Sequence, residues 1–229
     1  MTFTDAQRAA TLSTAVRPKS GQGSQVAQVP FTYRVDYQRI IRKMGLAAQL
    51  QNGGVVRLRD VQLSDVNAYV RMRCDPVMMA ELGGPVPQEG IEDKVRRDVD
   101  QAVADVAWIK MIVPGDDSSE VAGSVVLWPH KAKDETISEI GWMVLPEFQG
   151  QGLGKHAVRV LLEAARDDGR WGLVHAFPAV TNAASNGICR SIGFRMKGQE
   201  EVTFAGQVFR TNHWVIDPQA DLVIPCASP

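Results

Sequence analysis

Glu139-Ile140-Gly141-Trp142-Met143-Val144-Leu145-Pro146-Glu147-Phe148-Gln149-Gly150-Gln151-Gly152-Leu153-Gly154-Lys155 decides how this chain is read. An apolar run stops at Pro146, a Gln149-x-x-Gly152-x-Gly154 turn follows, and an amphipathic segment runs from His156 to Asp168. The order is strand, glycine-rich turn, helix. A helix that opens on glycines presents unpaired backbone N–H groups and the positive end of its dipole. That combination binds anions, phosphate above all, and the missing Cβ atoms let a phosphate reach the backbone.

Two familiar phosphate loops fail on spacing. A P-loop needs Gly-x-x-x-x-Gly-Lys-Ser/Thr, but Gly154-Lys155 is followed by His156. A dinucleotide loop needs Gly-x-Gly-x-x-Gly, and Lys155 stands where its third glycine belongs. The loop instead resembles the pyrophosphate loop, Gln/Arg-x-x-Gly-x-Gly/Ala, of the GNAT superfamily of N-acetyltransferases, which bind acetyl-CoA. Further on, Asn182-Ala-Ala-Ser185-Asn-Gly-Ile188-Cys189-Arg-Ser-Ile192-Gly193-Phe194 is similar to a second signature of that family. Its boundaries also follow from local physics. Asn182 is a good N-cap, Ile188 and Ile192 share a helix face, and Gly193 suits the left-handed position after a helix. The resemblance spans residues 54 to 217. Val55-Val-Arg-Leu-Arg59 and Asp75-Pro76-Val-Met78 are similar to the branch of ribosomal-protein N-terminal acetyltransferases.

Composition sets outer bounds. The chain has 229 residues, 45% of them hydrophobic, and a formal net charge of −1. That supports one domain with an extension. No basic face or run points to nucleic acid. Cys74, Cys189 and Cys226 are odd in number and widely spaced, which fits neither a metal site nor a disulfide framework. A reducing, cytoplasmic setting follows. No apolar stretch reaches the ~18 residues of a membrane span, and no apolar signal core stands at the N-terminus.

The expected organisation is an N-terminal extension over residues 1–53, an acyltransferase domain over 54–217 and a tail over 218–229. Within the extension, Phe31–Tyr37 reads as a short strand and Gln38–Gln51 as a helix, from the spacing of Ile40, Ile41, Met44, Ala47 and Ala48. Val55–Arg59 is the first domain strand. One helix opens near Ser64, a second short one at Asp75-Pro76, and a third covers Gly90 to Ala104. Strands follow at Val106–Val113, Glu120–Trp128 and Thr136–Leu145, then at Trp171–Pro178. Arg195–Phe204 and Val208–Ile216 form a last hairpin. The fold class is therefore α/β (α+β), a single mixed, mostly antiparallel sheet flanked by helices, which is also the fold the resemblance implies.

The resemblance also implies roles. The pyrophosphate falls to Gln149, Gly150, Gln151, Gly152, Leu153, Gly154 and Lys155. The pantetheine arm pairs with the main chain of Trp142, Met143, Val144 and Leu145, where Met143 or Val144 donates an N–H to the thioester carbonyl. Asn182 contacts the arm, caps its helix, or both. Glu139 is the first candidate for general base, since a carboxylate on a buried strand is costly unless paired or functional. His175 is the second, because imidazole titrates in the useful range. His130 and Glu135 stand in the loop before the Glu139 strand. The acid that protonates the leaving thiolate is open among Ser185, Cys189 and water. Cys189 stands where many relatives carry a tyrosine, and it also reads as a small buried residue. Asp75, Met78, Met79, Trp128, His130, Phe204, Phe209 and His213 are acceptor-site candidates, and the methionines and aromatics among them read equally as core.

The expected activity is direct transfer of an acetyl or longer acyl group from acyl-CoA to a primary amine, of a small molecule or a protein N-terminus, with no metal. The expected partners are that amine and the acetyl-CoA co-substrate, with no nucleic acid and no membrane; a homodimer is left open. A non-catalytic acyl-CoA-binding module and a nucleotide-binding protein are the alternatives.

Overall fold

The computed structural model describes residues 46–49, 55–115, 120–132, 135–204 and 207–222. One eight-stranded sheet carries the domain, in the order β1-β2-β3-β4-β5-β6-β8-β7. Its strands are β1 (Leu46–Gln49), β2 (Val55–Asp60), β3 (Trp108–Pro114), β4 (Gly123–Ala132), β5 (Glu135–Val144), β6 (Val174–Ala176), β7 (Arg195–Phe204) and β8 (Gln207–Ile216). Every neighbouring pair is antiparallel except β5 and β6. The helices are α1 (Val66–Arg73), α2 (Ile91–Val103), α3 (Leu153–Asp168) and α4 (Ala183–Ile192).

Side chains alternate across a strand, and β5 shows the result. Ile140, Trp142 and Val144 join Leu127 and the α3 residues Ala157, Val158, Leu161 and Leu162 in one core. Met143 joins Met72, Met79, Ile91 and Val95 in a second core on the other face, under α1 and α2. β3 is covered on both faces and is buried from Trp108 to Val113. The one cation it carries there, Lys110, meets Asp60 at 2.6 Å. Asp65 is likewise buried yet paired: its carboxylate accepts from both terminal nitrogens of Arg59 and from the Gln62 backbone N–H. A buried charge survives on such terms.

The structure corrects three expectations. Residues 46–49, inside the helix expected over Gln38–Gln51, form a strand that adds to the edge of β2. A free sheet edge offers a whole row of backbone partners, which outweighs a weak helical preference. The rest of that segment and Phe31–Tyr37 lie outside the described residues. The chain after Asp75 is a series of turns rather than a helix; Oδ1 of Asp75 accepts the N–H groups of Val77 and Met78 and closes the first turn. The α3 helix starts at Leu153, three residues earlier than the apolar stripe from His156 suggested, because Leu153 is itself buried. Among the described residues no helix is long and apolar enough to cross a membrane.

Asn186 ties the second signature to the sheet. Its amide donates to the carbonyls of Ala179 and Asn182, and its Oδ1 accepts from Asn212 Nδ2 and Trp214 Nε1. All three side chains are buried. Replacement by alanine strands two buried donors, each costing about 1–3 kcal/mol. Asn186→Ala is expected to lower unfolding stability by about 3 kcal/mol, read from the urea midpoint at an unchanged m-value.

Candidate active site

β5 and β6 run parallel and pair only at Ser138 with Val174 and Glu139 with His175. Beyond that point β6 ends at Ala176 while β5 continues to Val144. A gap therefore opens along the last residues of β5. The opposite edge of β5 stays paired with β4, and the Leu145 N–H donates to the Ala122 carbonyl at 2.8 Å. Backbone groups on a strand alternate in direction. The N–H of Met143 thus points toward β4 with that of Leu145, and the backbone groups of Trp142 and Val144 point into the gap. Their side chains pack against the α3–α4 core, so what they offer the gap is main chain.

The glycine-rich loop lies just past the open end. Gly150 and Gly152 hold φ of 75° and 80°, left-handed values that favour glycine. Gly152 is the N-cap of α3, and the first intrahelical bond runs from His156 N–H to the Gly152 carbonyl. The N–H groups of Leu153, Gly154 and Lys155 precede it in the first turn and face outward along the axis. Gln149 reaches back to the Val144 carbonyl at 2.9 Å and Gln151 to the Glu147 carbonyl at 3.1 Å, fixing the loop onto the end of β5. Gly154 sits against Val144 and Ile188, where a Cβ would meet side-chain carbons at 3.1 and 3.2 Å. Lys155 and Arg159 stand close enough to His156 to push its pKa down, after burial itself. Sequence reasoning found Lys155 but missed His156 and Arg159, although Arg159 lies one helical turn past Lys155 on the same face.

Glu139 and His175 share the α1–α2 face of the sheet at the point where the strands part. Glu139 is largely buried, and that burial pushes its carboxyl up to about 8. His130 Nδ1 lies 3.1 Å from Glu139 Oε2, and burial lowers the His130 pKa. Trp128, opposite Glu139 on β4, lays its ring into the space left by the missing side chain of Gly141. Burial first, then the neighbouring His213, lowers the pKa of His175. His175 also lines an open groove of about 640 Å³ with Pro129, Glu135, Ile137, Ser138 and Trp171.

The remaining candidates divide. Asn182 caps α4, its Oδ1 accepting the Ser185 N–H at 2.9 Å, and the Ser185 hydroxyl stands on the first turn of α4. Cys189 is fully buried, and burial pushes its thiol up to about 12. This is the small buried residue that the sequence also allowed. Met79 is core, 1% exposed, and Asp75 is occupied by its own turn. Phe209 sits toward the tip of the β7–β8 hairpin, opposite Val202. The Phe204 side chain lies outside what is described. His213 is brought beside His175.

The family profile described as an acetyltransferase (GNAT) domain matches residues 56–195. Among curated proteins none matches the chain. Several solved structures share its fold. An acetyltransferase (GNAT family) from Bacillus anthracis superposes with a TM-score of 0.63 at 17% identity, covering 77% of this chain and 99% of that one. RimJ of Mycobacterium smegmatis, solved in complex with CoA-disulfide, gives 0.62 at 17% identity over 76% and 86%. The ribosomal-protein-S5-alanine acetyltransferase of Vibrio fischeri gives 0.61 at 16% identity over 76% and 98%.

Proposed function

The chain belongs to the GNAT acetyltransferase family, and from that premise we propose that it moves an acetyl group from acetyl-CoA directly to a primary amine, with the α-amine of a protein N-terminus as acceptor. The observation that carries this reading is the gap between β5 and β6. It leaves the backbone of Trp142 and Val144 facing away from β4, immediately ahead of a glycine-lined helix N-terminus. A pantetheine arm carries two amides, which need backbone partners, and the pyrophosphate at its end needs an anion site. Both lie in line here.

Each step then falls to a residue in the chain. The N–H groups of Leu153, Gly154 and Lys155, with the Lys155 and Arg159 cations, hold the pyrophosphate. The Val144 N–H polarises the thioester carbonyl, where a preorganised donor is worth most as negative charge develops. Glu139 takes a proton from the attacking nitrogen. Ser185, at the start of α4, is the donor to the leaving sulfur. An α-amine, with an ordinary pKa of roughly 8 against roughly 10 for a lysine side chain, gives up its ammonium proton more readily near neutral pH and is the acceptor that general-base catalysis favours. A further structure of similar fold, RimL, is a ribosomal L7/L12 alpha-N-protein acetyltransferase, which acts on an acceptor of this kind.

Acetyl-CoA titration by calorimetry, followed by thiol release against peptides and small amines, tests the reading. Binding with turnover supports it. Binding without turnover on any amine favours an acyl-CoA-binding module, and no binding refutes it. The pH dependence is a separate check. Glu139 must be ionised to act, so kcat/KM for a peptide acceptor is expected to rise about tenfold per unit below about pH 8 and to level off above it. A profile already flat from pH 7 would exclude Glu139 as base.

A further inference from the structure

Beside Glu139, three titratable side chains from three strands form a line that acetyl-CoA binding does not require. His175 on β6 places Nδ1 2.9 Å from Nε2 of His213 on β8. His213 in turn places Nδ1 2.8 Å from Oε1 of Glu200 on β7. The two imidazoles stack with centroids 5.1 Å apart, and Phe177 stacks on His213 at 4.6 Å. The line runs from the mouth of the gap to solvent: the side chain of His213 is 15% exposed and that of Glu200 45%.

The hydrogen bonds determine where the protons sit. A carboxylate only accepts, so Nδ1 of His213 carries the proton it shares with Glu200. In the neutral ring its Nε2 is then a lone pair. His175 must donate to that lone pair from Nδ1, which leaves Nε2 of His175 as a lone pair on the other edge of its ring. Among the described residues no hydrogen bond engages that atom. The three side chains thus present one basic nitrogen, next to Glu139 across the β5–β6 pairing.

We propose that Nε2 of His175 accepts the first proton of the acceptor ammonium, with His213 and Glu200 as positioning residues that take up the resulting charge. The step rests on the acetyltransferase reading and balances as follows. The ammonium N–H bond breaks and leaves its electron pair on nitrogen, which becomes the nucleophile. The proton bonds to Nε2 of His175, and the Nδ1 proton of His175 passes to Nε2 of His213. His213 is then an imidazolium held against the Glu200 carboxylate. The second N–H proton leaves through Glu139 as the amide forms, while the Ser185 hydroxyl gives its proton to the CoA sulfur and is reprotonated at the expense of Glu139 through solvent, so the sulfur gains the one proton that Glu139 took up. When product leaves, His175 returns its Nε2 proton to water and both rings revert, so one turnover releases one proton. Two carriers serve the two protons that an ammonium must lose on its way to an amide. Charged groups facing the pair are Glu200, Lys197 and Glu135, together with Glu139 on the neighbouring strand.

Long-range ¹⁵N spectra of the full chain test the proton positions without any substrate. The expectation is that the neutral rings of His175 and His213 are both Nδ1–H tautomers, the minor form for free histidine. An Nε2–H tautomer on either ring overturns the proposal. Kinetics supply the second arm. Protonation of His175 adds a second break to the acid side of the kcat/KM profile, below that of Glu139; Glu200 favours positive charge on His175, so Glu200→Gln is expected to move this lower break down by about one pH unit and to cut the plateau about tenfold, while Glu200→Asp restores most of both. A Glu200→Gln profile that superimposes on the parent's overturns the proposal as well, because a purely structural strut would leave the profile in place. If the parent turns over no amine, it is the acetyltransferase reading that fails, and the tautomers still decide the relay.

Discussion

Glu139→Gln is expected to lower kcat/KM for acetyl transfer about 10²- to 10³-fold, the usual worth of a positioned base, with acetyl-CoA affinity changed less than about twofold. The substitution keeps shape and one hydrogen-bonding oxygen toward His130, which lies 3.1 Å from the carboxylate, but it cannot take a proton. Stability should move the other way. Burial raises the carboxyl to about 8, so between the ordinary carboxylate range near 4 and about 8 the folded chain binds more protons than the unfolded one. By linkage, unfolding free energy falls as pH rises through that window, and it stays low above about pH 8, where Glu139 is ionised in both states. The Gln variant lacks this slope. It should match the parent at pH 4 and exceed it by a few kcal/mol at pH 9, a difference read from paired urea curves. A variant that is slow and also unstable at high pH would mean that Glu139 is a structural ion partner. Retained activity would remove Glu139 from the path of the protons.

Gly123→Ala is expected to cost more stability than any other single methyl added to this sheet. Gly123 opens β4 opposite Val144, and a Cβ built there would lie 2.0 Å from the Met143 carbonyl oxygen and 3.0 Å from the Val144 Cα. Both are backbone atoms of β5 and cannot swing aside. The strand itself must shift or the methyl cannot fit, and forced displacement of this kind typically costs about 1–3 kcal/mol and sometimes more. We expect about 3–4 kcal/mol, measured by denaturant unfolding. The displaced segment is also the edge of the gap that presents the Val144 N–H. In the variant that still folds at low temperature, acetyl-CoA affinity should therefore drop at least tenfold by calorimetry. Normal affinity at reduced stability would show that the pantetheine arm does not lie along this end of β5. Gly141→Ala is the control: its Cβ would meet only the Trp128 ring, at 3.3 Å, and a side chain can adjust.

These two substitutions mark how far a sequence reading reaches. The strand–loop–helix around Gln149–Gly154 was legible because each boundary rests on local rules: Pro146 ends the pairing, Gly152 supplies a left-handed N-cap, and a stripe repeating every three to four residues follows. Asn182 and Gly193 bound α4 for the same reason, as a side-chain cap and a left-handed stop. Where local preference was weak, the fold overrode it. Residues 46–49 looked helical and became an edge strand, since the partner that decides their state lies on β2.

By itself, then, the sequence determined the strand, glycine-rich turn and helix around Gln149–Gly154 and the bounds of α4, since each depends on residues close together in the chain. Tertiary structure decided the rest. It set the two-residue β5–β6 pairing that opens the gap, the direction of the Val144 N–H, the burial that raises Glu139 and the alignment of His175, His213 and Glu200 across three strands. The physical reason is one of range. Caps, turns and periodicity act over a few residues, whereas strand register, desolvation and side-chain hydrogen bonds between strands exist only once distant segments have paired.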